Sequence, residues 1–148
     1  MIGVNEMRVY DAENQILGRL CSVVAKQLMN GETISIVNAE KAVLAGNVKS
    51  KTELYKHKYE RGDPFHGPFF PKQPERILRR TVRGMLPWDR NKGRNAYRRL
   101  KVFVGVPDEV KAAAKSFEKV ENADANRLKT KYITLGEIAF SMGAKKRW

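Results

Sequence analysis

The sequence predicts an α/β fold in which a parallel or mixed sheet is covered by helices on both sides. Stretches whose apolar residues recur at helical spacing alternate along the chain with short apolar runs at 34–37 and 101–106. Such alternation is the pattern of a sheet built through helical crossovers. The runs lack in-and-out alternation, as expected of strands buried on both faces. With 148 residues and 42% apolar content, the chain is long enough for one domain with a real core, residues 1–148, and not obviously for two.

Met7 to Tyr10 reads as a short first strand, closed by Asp11-Ala12-Glu13-Asn14, a turn-forming cluster that also offers helix caps. Ile16, Leu17, Leu20, Val23, Val24, Gln27 and Leu28 then recur at helical spacing, and Asn30-Gly31 supplies the stop. Ile34 to Val37 is β-branched and apolar and suits an inner parallel strand. Gly46-Asn47 opens a second helix that reaches Glu60, with Val48, Thr52, Tyr55 and Tyr59 on one side and lysines elsewhere.

From Arg61 to Pro74 neither a helix nor a central strand can form, because four prolines remove donors and Gly62 and Gly67 break regularity. A loop of this length inside a compact domain is usually functional or disordered, and the rings of Phe65, His66, Phe69 and Phe70 argue that it packs against something. For Phe69 and Phe70 that surface is either the protein's own core or a partner. Pro74 then sits well at a helix start. Ile77, Leu78, Thr81, Val82 and Met85 form one stripe of this helix, and Arg76, Arg79, Arg80 and Arg83 lie on the opposite side. One face is core and the other is an arginine ridge, which is either a solvated face or a phosphate-binding surface; the mutual repulsion of arginines without interleaved acids favours phosphate.

Pro87 ends that helix. Arg90 to Arg99 reads as a loop feeding a short helix, and 101–106 as a strand. Val110 to Phe117 is expected to be helical, with Asp108 and Glu109 favoured at its N-terminus by the helix dipole. Glu118 to Lys131 is polar and yields no reading. Thr134-Leu-Gly-Glu137 is a capping box for a helix over 134–143 with Gly143 as its stop, and Ala144 to Trp148 form a basic tail.

The charge is concentrated. Residues 49–101 hold sixteen of the 29 Lys and Arg against five acids, which is +11 of the formal +13, while the rest is near neutral. A focused cationic surface suits a polyphosphate partner, because each base that neutralises a phosphate releases a condensed counterion. An enzyme reading finds little to work with. The single cysteine, Cys21, excludes an intramolecular disulfide framework or a cysteine-based zinc site, and His57 and His66 lack metal-ligand spacing. No phosphate-binding glycine loop or nucleophile motif is present. His66 with Asp63 is the nearest general-base pair, a weak signal, so no catalytic residue, metal or cofactor is expected. No segment resembles a signal peptide or membrane span, so the cytosol is the expected compartment, with no membrane or small-molecule partner. A DNA-binding regulator is the alternative, since 133–143 resembles the first half of a helix-turn-helix. That motif needs a recognition helix after the turn, and only five residues follow Gly143.

Val82-Arg-Gly-Met-Leu-Pro87, Gly93-Arg94 and Leu100-Lys-Val-Phe-Val-Gly105, in that order and spacing, closely resemble the signature of the large-subunit ribosomal protein L13 family. Leu17-Gly-Arg-Leu20, Val37-Asn-Ala-Glu-Lys41 and Gly67-Pro-Phe-Phe-Pro71 extend the resemblance over about Val9 to Pro107. The loop and the Tyr-Ile-Thr-Leu-Gly-Glu ending are similar to the archaeal branch. The resemblance implies a three-layer α/β/α fold around a small, mainly parallel central sheet, carrying a basic Gly/Pro/aromatic loop. It also implies a non-catalytic, structural role in ribosomes and subunit assembly, with large-subunit rRNA and neighbouring ribosomal proteins as partners. The candidate RNA-contacting residues are Lys49, Lys56, Lys58, Arg61, His66, Lys72, Arg76, Arg79, Arg80, Arg83, Arg90, Lys92, Arg94, Arg98 and Arg99. Recognition would be of shape, phosphate and 2′-hydroxyl. Met85, Leu86 and Trp88 mark the joint between core and RNA face, where Trp88 is open to core, RNA or protein contact.

Overall fold

The computed structural model describes residues 7–114 and 116–148. In chain order the elements are β1 (Arg8–Asp11), α1 (Leu17–Met29), β2 (Ile34–Val37), β3 (Val43–Ala45), α2 (Val48–Glu60), α3 (Pro74–Met85), α4 (Asn91–Arg98), β4 (Leu100–Val102), α5 (Asp108–Ala113), β5 (Tyr132–Thr134) and α6 (Leu135–Ser141). Short 3-10 turns fall at Ala39–Lys41, Glu121–Ala123 and Ala125–Arg127.

The fold is α/β, as expected. Three strands pair in parallel in the order β1-β2-β4, with Ile34 opposite both Arg8 and Leu100. β2 is central and all four of its residues are buried, which is what its unbroken β-branched run predicts. Tyr10, Ile34, Ile36 and Leu100 face a large core closed by α1, α3, α4 and α6, through side chains that include Leu20, Val24, Ile77, Leu78, Ala96 and Ile138. The opposite face is thin: Val9 and Val37 meet Val110 of α5, with Met7, Phe103 and Val106 partly buried around them. The second helical layer over the sheet is therefore the six-residue α5.

Several boundaries differ from the sequence reading. The run 101–106 pairs only through Leu100–Val102, at a sheet edge where Lys101 is exposed, so burial on both faces holds for β2 and not for β4. Beyond it, Phe103 donates to Ile36 at 2.8 Å, then accepts from Ala39 at 3.2 Å, and Gly105 at φ +64° turns the chain away. The helix expected over 110–117 runs instead from Asp108 to Ala113, its acidic pair in the first turn as anticipated. On α2 only Tyr55 is buried, while Val48 and Tyr59 are exposed. That helix is capped by Asn47, whose side chain accepts from the amides of Lys49 and Ser50. α1 has no side-chain cap; Asp11 instead accepts from the Glu13 amide and from Asn38 and so closes the preceding turn.

The antiparallel pair β3-β5 was missed, because three-residue strands are too short for alternation to register and the partners lie about ninety residues apart. The polar stretch 118–131 is ordered through its backbone. Glu118 exchanges hydrogen bonds with Val9 and Asp11 on the outer edge of β1, and Ala123 accepts from Ile16. The buried Gln15 side chain accepts from the Val120 amide at 3.0 Å. Backbone bonds carry no side-chain signature, which is why the segment was unreadable.

The capping box at the start of α6 is formed in both directions, and Gly143 at φ +86° ends the helix with the Ala144 amide donating back to Ala139 at 3.1 Å. No helix among the described residues is long and apolar enough to cross a membrane. Cys21 is fully buried on α1, and burial pushes its thiol up to about 12, so the reactive thiolate is suppressed across ordinary pH. At pH 8, iodoacetamide is therefore expected to leave Cys21 unmodified in the native protein and to alkylate it in guanidinium, as followed by intact-protein mass. Native labelling at the rate of a free thiol would contradict its burial.

Candidate nucleic-acid interface

The fifteen candidate residues lie on α2, the loop after it, α3, α4 and the two residues that flank α4, Arg90 and Arg99. Lys49, Lys56, Lys58, Arg61, His66, Arg76, Arg90, Lys92, Arg94 and Arg98 are exposed, while Lys72, Arg79, Arg80, Arg83 and Arg99 are partly covered. Only two of the fifteen pair with a carboxylate among the described residues: His66 with Asp63 at 3.4 Å, and Arg90 with Asp89 at 4.0 Å. Outside the segment four bases form ion pairs among the described residues: Arg8–Glu32 (3.3 Å), Lys41–Glu13 (3.1 Å), Lys111–Asp108 (3.4 Å) and Lys119–Asp11 (3.7 Å). The five acids of the cationic segment therefore leave most of its bases unpaired.

α3 explains how the segment is presented. Pro74 opens it, and Ile77, Leu78 and Val82 are fully buried against the core. Met85, expected to continue this stripe, is 44% exposed; the helix stops there and Leu86 turns inward in its place. The arginine ridge is likewise not uniform. Arg76 is free in solvent, but Arg79 lies 4.3 Å from the centroid of Tyr97, and Arg83 lies 4.3 Å from that of Trp88. The two rings meet edge to face at 5.2 Å. Sequence reasoning missed these partnerships, because no spacing rule ties α3 to rings in the next turn and helix.

The turn between α3 and α4 is tightly built. A Cβ at Gly93 would run into the carbonyl of Pro87, so the Gly of the Gly93-Arg94 pair is required by close approach. Arg94 donates from Nε to the Trp88 carbonyl at 2.9 Å and ties the turn down. Arg99 donates to the Leu28 carbonyl at 2.5 Å, completing the C-terminal end of α1, so part of its guanidinium serves the scaffold.

The loop after α2 contains a compact turn in which Asp63 and Gly67 exchange backbone hydrogen bonds and the Asp63 carboxylate accepts from the Phe65 amide at 2.8 Å. Its rings divide. Phe65 and Phe69 are 86% and 73% exposed, whereas Phe70 packs on the core and tilts against Tyr55 at 6.1 Å. Lys58 lies over both of these rings, 5.0 Å from Tyr55 and 5.7 Å from Phe70, and so joins α2 to the loop. The contact between His66 and Asp63 is a feature of this exposed turn. Among the described residues no cluster of three or more His, Cys, Asp or Glu is placed to hold a metal ion.

The family model for ribosomal protein L13 matches residues 5–109, a span that contains α2, the loop, α3 and α4. The chain belongs to the ribosomal protein L13 family. Large ribosomal subunit protein uL13 of Methanosarcina barkeri is 53% identical to it, covering 94% of this chain and 99% of that protein. The uL13 of Archaeoglobus fulgidus is 52% identical over 94% of this chain and 89% of its own length, and that of Haloarcula marismortui 38% over 95% and 93%. These relatives extend beyond the family span into the C-terminal part, so similarity to archaeal L13 proteins covers nearly the whole chain.

The division of the loop rings has a measurable consequence. Phe70→Ala is expected to cost about 1–3 kcal/mol in denaturant unfolding, less than a fully buried ring would, while Phe69→Ala stays within about 0.5 kcal/mol. Equal effects would contradict the packing. Gly93→Ala is expected to cost about 1–3 kcal/mol by forcing α4 off Pro87, read as a lowered unfolding midpoint.

Proposed function

We propose that this L13 family protein is a structural constituent of the large ribosomal subunit that binds large-subunit rRNA through phosphate and shape contacts and supports subunit assembly. The observation that carries the reading is the concentration of unpaired positive charge: residues 49–101 hold +11 of the formal +13, and among the described residues thirteen of the fifteen candidate bases have no carboxylate partner. Fixed unpaired cations destabilise a protein alone and are neutralised when phosphates replace condensed counterions. The names of the relatives, large ribosomal subunit proteins, support large-subunit rRNA as that polyphosphate. The ribosome is accordingly the proposed location, with neighbouring ribosomal proteins as further partners, and a non-enzymatic role follows from the family.

The exposed bases Arg76, Arg90, Lys92 and Arg98 would contact phosphates directly. Phe65 and Phe69, held out by a compact turn, are available to stack on unpaired bases. No observation supports the regulator alternative, because Leu135, Gly136, Ile138 and Ala139 of α6 are buried and residues 144–148 form no helix.

Binding to transcribed large-subunit rRNA domains is expected to weaken steeply with salt. Arg76→Ala and Arg98→Ala should each reduce the slope of log K against log salt by roughly 1, with an unchanged melting temperature. Replacing residues 63–69 by a Gly-Ser linker, with Phe70 kept, should leave a folded protein that incorporates poorly into large subunits. Unchanged slopes together with normal incorporation would overturn the reading.

A further inference from the structure

Arg79 and Arg83 are held by rings instead of acids. Neither makes an ion pair, although Glu75 lies one turn before Arg79. The Nε of each is shut off from solvent with no hydrogen-bond partner, so in the protein alone the stacked ring is what offsets its desolvation. The rings are themselves fixed. Tyr97 packs against the core, Trp88 meets it edge to face at 5.2 Å, and the Trp88 carbonyl accepts from Arg94. Arg79, Tyr97, Trp88 and Arg83 thus form a continuous ladder that bridges α3, the turn and α4.

We propose that Tyr97 and Trp88 are positioning residues, which by stacking on Arg79 and Arg83 fix two guanidinium planes one turn apart on α3 as a rigid fork for two phosphates of an rRNA backbone. This rests on the rRNA-binding reading above. A stacked guanidinium keeps the donors at its outer edge in plane, the geometry that phosphate oxygens accept in bidentate fashion. An unbraced arginine loses its rotamer freedom on binding, whereas here it is lost on folding, so the gain appears as affinity. The number of phosphates neutralised does not change. Loss of a ring should therefore weaken binding without altering its salt dependence, which separates positioning from charge. The ring faces occupied by the arginines are closed to bases, so on those faces the rings act through their neighbours.

The test is a double-mutant cycle with the full chain and transcribed large-subunit rRNA domains, each variant first checked for native circular dichroism and cooperative melting. Trp88→Leu is expected to weaken binding by about three- to tenfold at constant salt slope, and Trp88→Phe, which keeps a ring, to bind close to the parent. In an Arg83→Ala background Trp88→Leu should add no further loss. Arg83→Lys, which keeps the charge but not the planar fork, should lower affinity with the slope unchanged. Tyr97→Leu and Tyr97→Phe repeat the test against Arg79 and decide it should Trp88→Leu fail to fold. Equal weakening by Trp88→Leu with and without Arg83, or no weakening at all while Arg83→Ala lowers the slope, overturns the positioning role and leaves the rRNA reading intact. If Arg79→Ala and Arg83→Ala leave both affinity and slope unchanged while Arg76→Ala lowers the slope, the fork is overturned alone. If no arginine variant lowers the slope, the rRNA face fails with it.

Discussion

The rest of the structure depends on the burial of Ile77, Leu78 and Val82, the apolar stripe of α3. α3 lies against α1, β4, α6 and the turn at Ala39–Lys41, so one helix touches most parts of the main core. Each fully buried aliphatic side chain of this kind contributes about 1.5–3 kcal/mol. Without that anchorage nothing would hold a helix carrying Arg76, Arg79, Arg80 and Arg83 against its own repulsion. With it, the arginines are committed to the outer side, and the chain leaving α3 has a fixed origin from which the turn and α4 can be built.

Electrostatics divides the molecule into two regimes. Outside residues 49–101 acids and bases nearly balance in number and some pair, as Lys41 does: its hydrogen bond to Glu13 is the main cause that raises its pKa. Inside, most cations have no acidic partner among the described residues, and the folded protein offsets part of the cost by placing some of them over rings. Lys58 over Tyr55 and Phe70, Lys72 over Tyr59, Arg79 over Tyr97 and Arg83 over Trp88 are all of this kind. A π face attracts a cation without neutralising it, so each base keeps its charge for an outside partner. A carboxylate in the same place would stabilise the isolated protein but compete with phosphate.

The joint between scaffold and interface is the turn from Leu86 to Arg94. Leu86 enters the core, Trp88 supports Arg83, Gly93 allows α4 to approach Pro87, and Arg94 closes on the Trp88 carbonyl. Two of the signature-like runs, Val82 to Pro87 and Gly93-Arg94, lie in or beside this turn. Their spacing reflects a geometric requirement, which is to bring two basic helices together at a fixed separation over shared rings.

How much was legible from the sequence follows from the range of the forces involved. Local rules determined β2, the Pro74 start of α3, the capping box of α6 and the Gly143 stop, because each depends on residues within one or two turns of one another. Composition determined the cationic segment, since charge is additive along a chain. Only the tertiary structure decided which cations stay free and which lie over rings, that Phe70 packs inward while Phe65 and Phe69 do not, and that Met85 is exposed while Leu86 is buried. It also decided that β4 is an edge strand, that β3 finds β5, and that 118–131 is stitched to β1 and α1. These outcomes rest on contacts between residues distant in sequence, and on backbone hydrogen bonds that any side chain permits, so no periodicity or motif records them.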